Sequence, residues 1–256
     1  MIKAAFFDID GTLIDPETYR IPESTIQSLQ KLRERGIKLF VATGRIKSMV
    51  GFLDEAFSFD GYLTLNGQYC YDRTGLIHKM AIPAGDIRQL QQILRETPFP
   101  CLLIEEEESF FVNFHEKIRI HFAHAGLPVP EPYEESRLDA HEVLQFLAYI
   151  PPEQRGLLDP LKNIEITSAG DFCFDVIPKG GGKEKGIEAV IRHYGIRREE
   201  IMVFGDGDND VRMIRYAGTG VAMGNAREET KAAADYVTDT AGRDGIEKAL
   251  LHFNLI

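Results

Sequence analysis

The amino-acid sequence predicts an α/β fold, a Rossmann-like parallel sheet with helices on both faces, interrupted by an inserted α+β cap domain. Short apolar runs alternate with helical patterns in the first and last thirds of the 256-residue chain, which is typical of βα units in a parallel sheet. The middle differs, because prolines punctuate it and its strands read as hairpins. We therefore expect a core formed by residues 1–82 and 181–256, and a cap formed by residues 83–180.

The first third of the chain shows this alternation clearly. Ile26, Leu29 and Leu32 form one apolar face of a helix. Pro22 suits its first turn, and Gly36 ends it. In order, the elements expected are a strand ending at Phe7, this helix, a strand over 37–42, a helix over about 47–56, a strand over 62–65 and a turn at Asn66-Gly67.

In the last third of the chain strands and helices alternate again, whereas the middle contains shorter elements. A helix is predicted over 183–194 because Gly195 follows the helical pattern directly. Further strands are expected over 201–204, 220–223 and 236–238. In the cap we expect strands over 101–105, 110–113, 146–150, 164–168 and 172–177, helices over 86–96 and 116–125, and a solvated turn at the acidic run 105–108.

Charge and cysteine content exclude several classes of function. The net charge of −11 argues against a nucleic-acid partner and against an anionic membrane surface. Three widely separated cysteines without C-x-x-C spacing indicate reduced thiols in a cytoplasmic protein. No apolar run reaches membrane-spanning length, and the short N-terminal run ends in acids, as expected of a strand and not of a signal peptide. We expect a monomer or weak homo-oligomer.

The most informative chemical signal is the pair of acids that ends the first strand. The apolar run reaches Asp8-Ile9-Asp10-Gly11-Thr12, and alternation along an extended chain would point Asp8 and Asp10 the same way. Two like charges on the same side of a strand repel each other, which is costly unless a cation lies between them or one of them holds a proton. The pattern therefore favours a site for a metal ion and for acid–base chemistry.

Other polar residues are expected at the same edge of the sheet. Ligands of open α/β sheets bind outside the carboxyl ends of the strands. The features that fall there, or just beside it, are Asp8 with Asp10, Thr43, the helix start at Lys183, and Asp206 with Asp210. Thr43 also suits a helix N-cap, and the two roles can coexist.

Phosphoryl transfer is the chemistry that explains this set. Asp8 would attack phosphorus, and Asp10 would protonate the leaving oxygen and later take a proton from water. Thr43 and Lys183 would bind the phosphoryl oxygens. Mg²⁺ prefers oxygen ligands, which Asp8, Asp206 and a backbone carbonyl near Asp10 could supply.

The motifs resemble those of a known family. Asp8-Ile9-Asp10-Gly11-Thr12 and Ala42-Thr43-Gly44-Arg45 are similar to the first and second motifs of the haloacid dehalogenase superfamily of phosphatases. The segment from Gly205 to Asp210, with Met213, resembles the fourth motif of its subgroup with large α/β caps. Val221-Ala222-Met223-Gly224-Asn225-Ala226 looks like the tail of the Cof-type hydrolases.

The resemblance implies roles for named residues. Asp8 would be the nucleophile and Asp10 the acid and base, with Asp8, Asp10, Asp206 and Asp210 as the metal-site residues, Asp210 lying just behind the ligands. It implies phosphate or substrate contacts from Thr43, Gly44, Arg45, Lys183, Asn209 and Asn225, although Asn209 suits a plain turn equally well. Lys183 is preferred over Lys179 and Lys185 because Gly186 and Ile187 follow it at the spacing seen in relatives. At Asn66-Gly67-Gln68 the chain departs from the usual Asn-Gly-Ala, which we expect to alter a wall of the pocket without touching the chemistry.

Three functions are compatible with these residues. The first is a Mg²⁺-dependent phosphatase that hydrolyses small phosphorylated metabolites, with sugar phosphates expected, through an aspartyl-phosphate. The second is a phosphosugar mutase, which would use the same core and the same intermediate. The third is a non-catalytic sensor of a phosphorylated ligand, which the presence of both Asp8 and Asp10 disfavours.

Overall fold

The structure is a computed structural model that describes residues 1–124, 128–169 and 173–256. Within the described chain, no helix is both long enough and apolar enough to cross a membrane. By the proximity of their Cα atoms the residues form two compact units. The first contains 1–44, 51–78 and 182–256, and the second contains 45–50 and 79–181. The functional division into a catalytic core and a substrate-selecting cap stays a prediction.

The described residues form the following strands and helices, numbered in chain order. The strands are β1 (Ala4–Phe7), β2 (Lys38–Ala42), β3 (Gly61–Thr64), β4 (Tyr69–Asp72), β5 (Gly75–Lys79), β6 (Cys101–Ile104), β7 (Ser109–Val112), β8 (Glu131–Pro132), β9 (Gln145–Ala148), β10 (Ile164–Ala169), β11 (Phe174–Pro178), β12 (Ile201–Gly205), β13 (Thr219–Ala222) and β14 (Tyr236–Val237). The α-helices are α1 (Glu23–Glu34), α2 (Leu53–Ala56), α3 (Ala84–Glu96), α4 (Glu116–His124), α5 (Lys183–Tyr194), α6 (Val211–Tyr216), α7 (Glu228–Ala233) and α8 (Gly245–His252).

The sheet of the first unit is parallel at its centre. Its strand order is β14-β13-β12-β1-β2-β3-β4-β5, and the neighbours from β14 to β3 pair in parallel. β1 and β12 are buried and apolar throughout, as expected of strands covered on both faces. Phe6 stacks on Phe40 and Phe7 on Phe204, each pair with ring centroids 4.9 Å apart, so aromatic pairs join β1 to both of its neighbours. The predicted α/β fold class is confirmed.

The second unit has a sheet of another kind. Its strand order is β10-β11-β9-β6-β7-β8, and its pairs are antiparallel except that between β7 and β8. The acidic run 105–108 forms the turn between β6 and β7, but Glu105 was wrongly expected to be solvated. It is 4% exposed and accepts two hydrogen bonds from Arg137, at 3.0 and 2.6 Å. A carboxylate can be buried there because a guanidinium pairs with it in this forked geometry.

Most predicted elements are confirmed to within a few residues, and the exceptions have local causes. The helix expected over 47–56 is wrong. Residues 47–49 form one 3₁₀ turn and α2 starts only at Leu53, with Gly51 between them. β4, which pairs antiparallel with β3, and its neighbour β5 were not predicted. Ala125 and Phe172, expected at the ends of a helix and a strand, lie outside the described residues.

Candidate functional site

The central parallel strands bring three predicted site residues to one edge of the sheet. β1 lies between β2 and β12, and all three run in the same direction. Asp8, Thr43 and Asp206 each follow directly after the last residue of one of these strands. The backbone N–H of Asp8 still donates to the Phe204 carbonyl at 3.0 Å, which fixes the point where the chain leaves the sheet. The expectation that these residues share an edge is confirmed by the strand order.

Carboxylates lie close together at this edge. Asp8, Asp206 and Asp210 each offer an oxygen, and these oxygens lie within 4.8 Å of one another. The Lys183 ammonium, fully buried, donates to Asp8 Oδ1 and to Asp210 Oδ1, both at 2.6 Å. Three carboxylates and one ammonium leave an excess of two negative charges when all are ionised.

The pKa values reflect this excess of negative charge. Burial raises the pKa of Asp8 well above its usual range, and the charges of Asp210 and Asp206 add to the effect against the opposing Lys183. Burial, together with the charge of Asp210, raises the pKa of Asp206 to about 6. Burial alone would lower the pKa of Lys183, but the two carboxylates that it contacts raise it instead. The lysine therefore stays charged, whereas the acids gain from any further cation.

Lys183 reaches the aspartates because α5 begins beside a glycine turn. Gly67 has φ +86°, and a Cβ placed on it would lie 2.6 Å from the Gly182 carbonyl oxygen. Only glycine allows both the left-handed backbone and this close approach. Of the lysines considered from the sequence, Lys183 contacts the acids, while Lys185 pairs with Glu188 at 3.0 Å on the surface of α5.

Asp210 braces the loop that follows β12. Its Oδ2 accepts hydrogen bonds from the backbone N–H groups of Asp206 and Gly207, both at 2.9 Å, while its Oδ1 accepts from Lys183. Thr230 of α7 donates its hydroxyl to the Gly207 carbonyl at 3.1 Å. With both oxygens engaged, Asp210 shapes the loop that presents Asp206.

Asp206 is held by two side chains from other parts of the chain. Asn225 Nδ2 donates to its Oδ2 at 2.8 Å, and Thr12 Oγ1 donates to its Oδ1 at 3.3 Å. Asn225 Nδ2 also donates to the Gly11 carbonyl at 3.1 Å. Gly11 has φ +82°, and a Cβ at this position would collide with the Asp206 carboxylate. The turn after Asp10 thus leaves room for the Asp206 carboxylate, so its glycine is matched to the acidic cluster.

The donor set fits a hard divalent cation. The side-chain groups that converge are carboxylates, and they carry more negative charge than Lys183 neutralises. Magnesium and calcium prefer such oxygen ligands, whereas zinc and copper sites usually contain nitrogen or sulfur. A divalent metal ion is therefore the cofactor that this edge of the sheet could hold.

A second group of contacts joins the loops after β2, β3 and β12. Thr43 is buried, and its carbonyl accepts a hydrogen bond from the Asn66 backbone N–H at 2.8 Å. Asn66 Oδ1 accepts a hydrogen bond from Asn209 Nδ2 at 2.9 Å. From the sequence, Asn66 was expected at a turn and in the segment that departs from the usual Asn-Gly-Ala, and Thr12 only as part of the first motif. Nothing in the local sequence indicates that either contacts another loop.

The remaining predicted residues lie at the margins of these contacts. Asp10 is exposed, and its charge contributes to the raised pKa values of Asp8 and Asp206. Gly44 is half-buried in the first unit, whereas Arg45 belongs to the second unit, where its Nη1 donates to the Met49 carbonyl at 3.4 Å. Their roles toward a substrate stay predictions.

Comparisons with known proteins agree with this geometry. The sequence model of haloacid dehalogenase-like hydrolases matches residues 5–250. The protein YkrA of Bacillus subtilis (strain 168) is 32% identical over 99% of this chain and 98% of its own length. The structure of BT4131, a sugar phosphatase of HAD subclass IIB, is similar with a TM-score of 0.92 and 40% identity, covering 99% of this chain and 100% of that one. The structure of BT1666 from Bacteroides thetaiotaomicron, a HAD phosphatase, gives a TM-score of 0.91 and 36% identity, covering 100% of this chain and 96% of the other.

Proposed function

The chain belongs to the haloacid dehalogenase-like hydrolase family and is a phosphatase, and from that premise we propose that it hydrolyses small phosphorylated metabolites, with sugar phosphates as the main class, using Mg²⁺ and an aspartyl-phosphate intermediate. The observation that supports this most is the position of Asp8, which is buried at the carboxyl edge of the sheet against Lys183 and among further carboxylates. The likeness to a sugar phosphatase supports the substrate class.

Mg²⁺ would be held by the Asp8 and Asp206 carboxylates together with the backbone carbonyl of Asp10. Asp210 is the less suitable ligand, because Lys183 and two backbone N–H groups already occupy its oxygens. When bound, the ion supplies positive charge that offsets the carboxylates and polarises the phosphoryl group.

In the first half of the reaction, a carboxylate oxygen of Asp8 forms a bond to phosphorus while the bond from phosphorus to the leaving oxygen breaks. Asp10 donates a proton to that leaving oxygen, which departs as an alcohol. Lys183 keeps Asp8 oriented through its 2.6 Å hydrogen bond. An ammonium has three N–H donors, and the contacts to Asp8 and Asp210 use two, so the third can point to a phosphoryl oxygen.

In the second half, Asp10 takes a proton from a water molecule whose oxygen attacks phosphorus. The bond between phosphorus and Asp8 breaks, and inorganic phosphate leaves with the carboxylate restored. Asp10 is the exposed acid of the pair, which suits a group that exchanges protons with a leaving alcohol and with water. Thr43, buried at the end of β2, would donate its hydroxyl to the phosphoryl group.

The test is release of inorganic phosphate from a panel of phosphorylated metabolites in Mg²⁺, comparing the wild type with Asp8→Asn. This variant keeps the shape of the side chain and removes the nucleophile. Asp208→Asn is the matched control, since Asp208 lies in the acidic loop but pairs with Arg227. Turnover by Asp8→Asn at the wild-type rate would exclude the aspartyl-phosphate route. A reaction that needs a bisphosphate activator and conserves total ester phosphate would identify a phosphosugar mutase instead.

A further inference from the structure

Asn66 is a buried polar residue in an unusual backbone conformation beside the candidate site. It is 0% exposed and has φ +54° and ψ +36°, which is the left-handed region. Asparagine tolerates this region better than other residues with a side chain, though glycine tolerates it best. A residue chosen only for the turn could therefore be glycine, so the side chain of Asn66 needs an explanation of its own.

The backbone of Asn66 supports the neighbouring loops. Its N–H donates to the Thr43 carbonyl at 2.8 Å, and its carbonyl accepts from Gln68 Nε2 at 3.0 Å. Gln68 stands where relatives were expected to carry alanine, and it is 1% exposed. Gln68 therefore supports the backbone of Asn66 from within the same loop, and its effect on a pocket wall stays a prediction.

The side chain of Asn66 supports a third loop. Its Oδ1 accepts a hydrogen bond from Asn209 Nδ2 at 2.9 Å, across 143 positions of sequence. Asn209 lies between Asp206 and Asp210 in the loop after β12. The bond uses one of the two N–H groups of the Asn209 amide and so fixes the direction of the other. A neutral acceptor suits this place, because a carboxylate would add a further negative charge beside three existing ones.

We propose that Asn66 is a positioning residue for phosphate recognition, in which its Oδ1 orients the Asn209 amide toward a phosphoryl oxygen while its N–H fixes the Thr43 loop. This inference rests on the proposed phosphatase function. It assigns Asn66 no contact with the substrate, since it acts through Asn209 and Thr43.

The experiment compares Asn66→Gly with Asn254→Gly. Glycine keeps the left-handed backbone and deletes only the side chain. Asn254 has φ +55° and is exposed near the C-terminus, so Asn254→Gly reproduces the backbone change away from these loops. The readouts are kcat and KM for an aryl phosphate in Mg²⁺, the inhibition constant of inorganic phosphate, and the dissociation constant of Mg²⁺ measured by calorimetry.

Asn66→Gly should lower kcat/KM and weaken phosphate inhibition about tenfold, as expected for loss of one hydrogen bond, while the dissociation constant of Mg²⁺ stays unchanged. Asn254→Gly should match the wild type. Combining Asn66→Gly with Asn209→Ala should cost no more than Asn209→Ala alone, because both remove the same contact. Unchanged kinetics of Asn66→Gly, or losses that multiply in the double variant, would overturn the inference.

Two further observations keep the test decisive. Wild-type turnover is measured first, because its absence would contradict the proposed function and not the role of Asn66. If Asn66→Gly fails to fold, NMR of the wild type replaces it, with the Asn209 side-chain amide assigned through Asn209→Ala. Slow solvent exchange of one Asn209 amide proton would support the bond to Asn66, and rapid exchange of both would overturn it.

Discussion

Asn225 donates to the Asp206 carboxylate at 2.8 Å through an amide nitrogen that also donates to the Gly11 carbonyl at 3.1 Å. Both N–H groups of this amide are therefore engaged by the protein itself. The resemblance to known phosphatases implied a contact between Asn225 and the substrate, and that role stays a prediction. The geometry supports a different one, in which Asn225 sets the direction of the Asp206 carboxylate, which we propose as a ligand of the metal ion.

Asn225→Ala should weaken Mg²⁺ binding at least about tenfold, since groups that orient metal ligands contribute on this order. The dissociation constant from calorimetry is the measurement. Asn163→Ala is the control, because Asn163 also donates its amide to a carboxylate, that of Asp86 at 2.9 Å, but in the second unit. Equal Mg²⁺ affinity in Asn225→Ala and Asn163→Ala would show that Asp206 needs no such support.

The stabilising effect of Mg²⁺ should grow with pH. The pKa of Asp206 is raised to about 6 and that of Asp8 is raised as well, so both acids favour folding most when protonated. Without metal, the contribution of Asp206 to the free energy of unfolding is fully present below its unfolded pKa of about 4 and is lost as the pH rises through its folded pKa of about 6, and the raised pKa of Asp8 acts in the same direction. The rise in Tm on adding Mg²⁺ should therefore be larger at about pH 8 than at about pH 5. An equal rise in Tm at the two pH values, or a smaller rise at the higher pH, would contradict the proposal that Asp8 and Asp206 bind the ion.

Lys183→Met should abolish turnover and lower the free energy of unfolding by about 3–5 kcal/mol without metal, because it leaves buried carboxylates without their ammonium. Added Mg²⁺ should restore part of the stability and none of the activity. Lys185→Met, two residues along the same helix and paired only at the surface with Glu188, should change stability by less than about 0.5 kcal/mol. Chemical denaturation of both variants measures the difference, and similar losses in the two would refute the structural assignment.

Gly11→Ala separates backbone strain from crowding at the acidic cluster. Gly11 and Gly36 have φ of +82° and +75°, so the left-handed backbone alone should cost about 1 kcal/mol of stability with alanine at either position. A Cβ at Gly11 meets the Asp206 carboxylate and Asn225, whereas one at Gly36 meets nothing within 4 Å. Only Gly11→Ala should therefore lose Mg²⁺ affinity as well. Thermal unfolding with and without Mg²⁺ tests this, and an equal response of the two variants to the ion would count against a site beside Gly11.

The sequence predicted well what depends on short stretches of chain. The helix over 183–194 matches α5 at both ends, because a glycine with φ +65° follows it, as such helix ends require. The acids after β1 and β12 were placed correctly at one edge, because parallel strands share the direction in which they end. Lys183 was preferred over its neighbours from spacing, and it is the lysine that contacts the acids.

What the sequence did not predict depends on residues far apart in the chain. The bond between Asn66 and Asn209 needs the exact shapes of two loops, and neither loop encodes the other. The same holds for Thr12 and Asn225 around Asp206. The helix expected over 47–56 is interrupted at Gly51, where the chain changes from the second unit to the first, a boundary that depends on contacts with distant residues.

The membership of residues 45–50 in the second unit has a consequence for protein engineering. A chimera that tests whether the second unit sets substrate preference by transplanting residues 79–181 alone would leave this short segment behind. Lys47 of the segment pairs with Glu107 of the β6–β7 turn. In such a chimera the residues at these two positions would come from different proteins, and the ion pair could be lost. A graft should carry both pieces, with its joints at the glycines on either side, Gly44 and Gly51 for the short piece and Gly182 for the end of the long one.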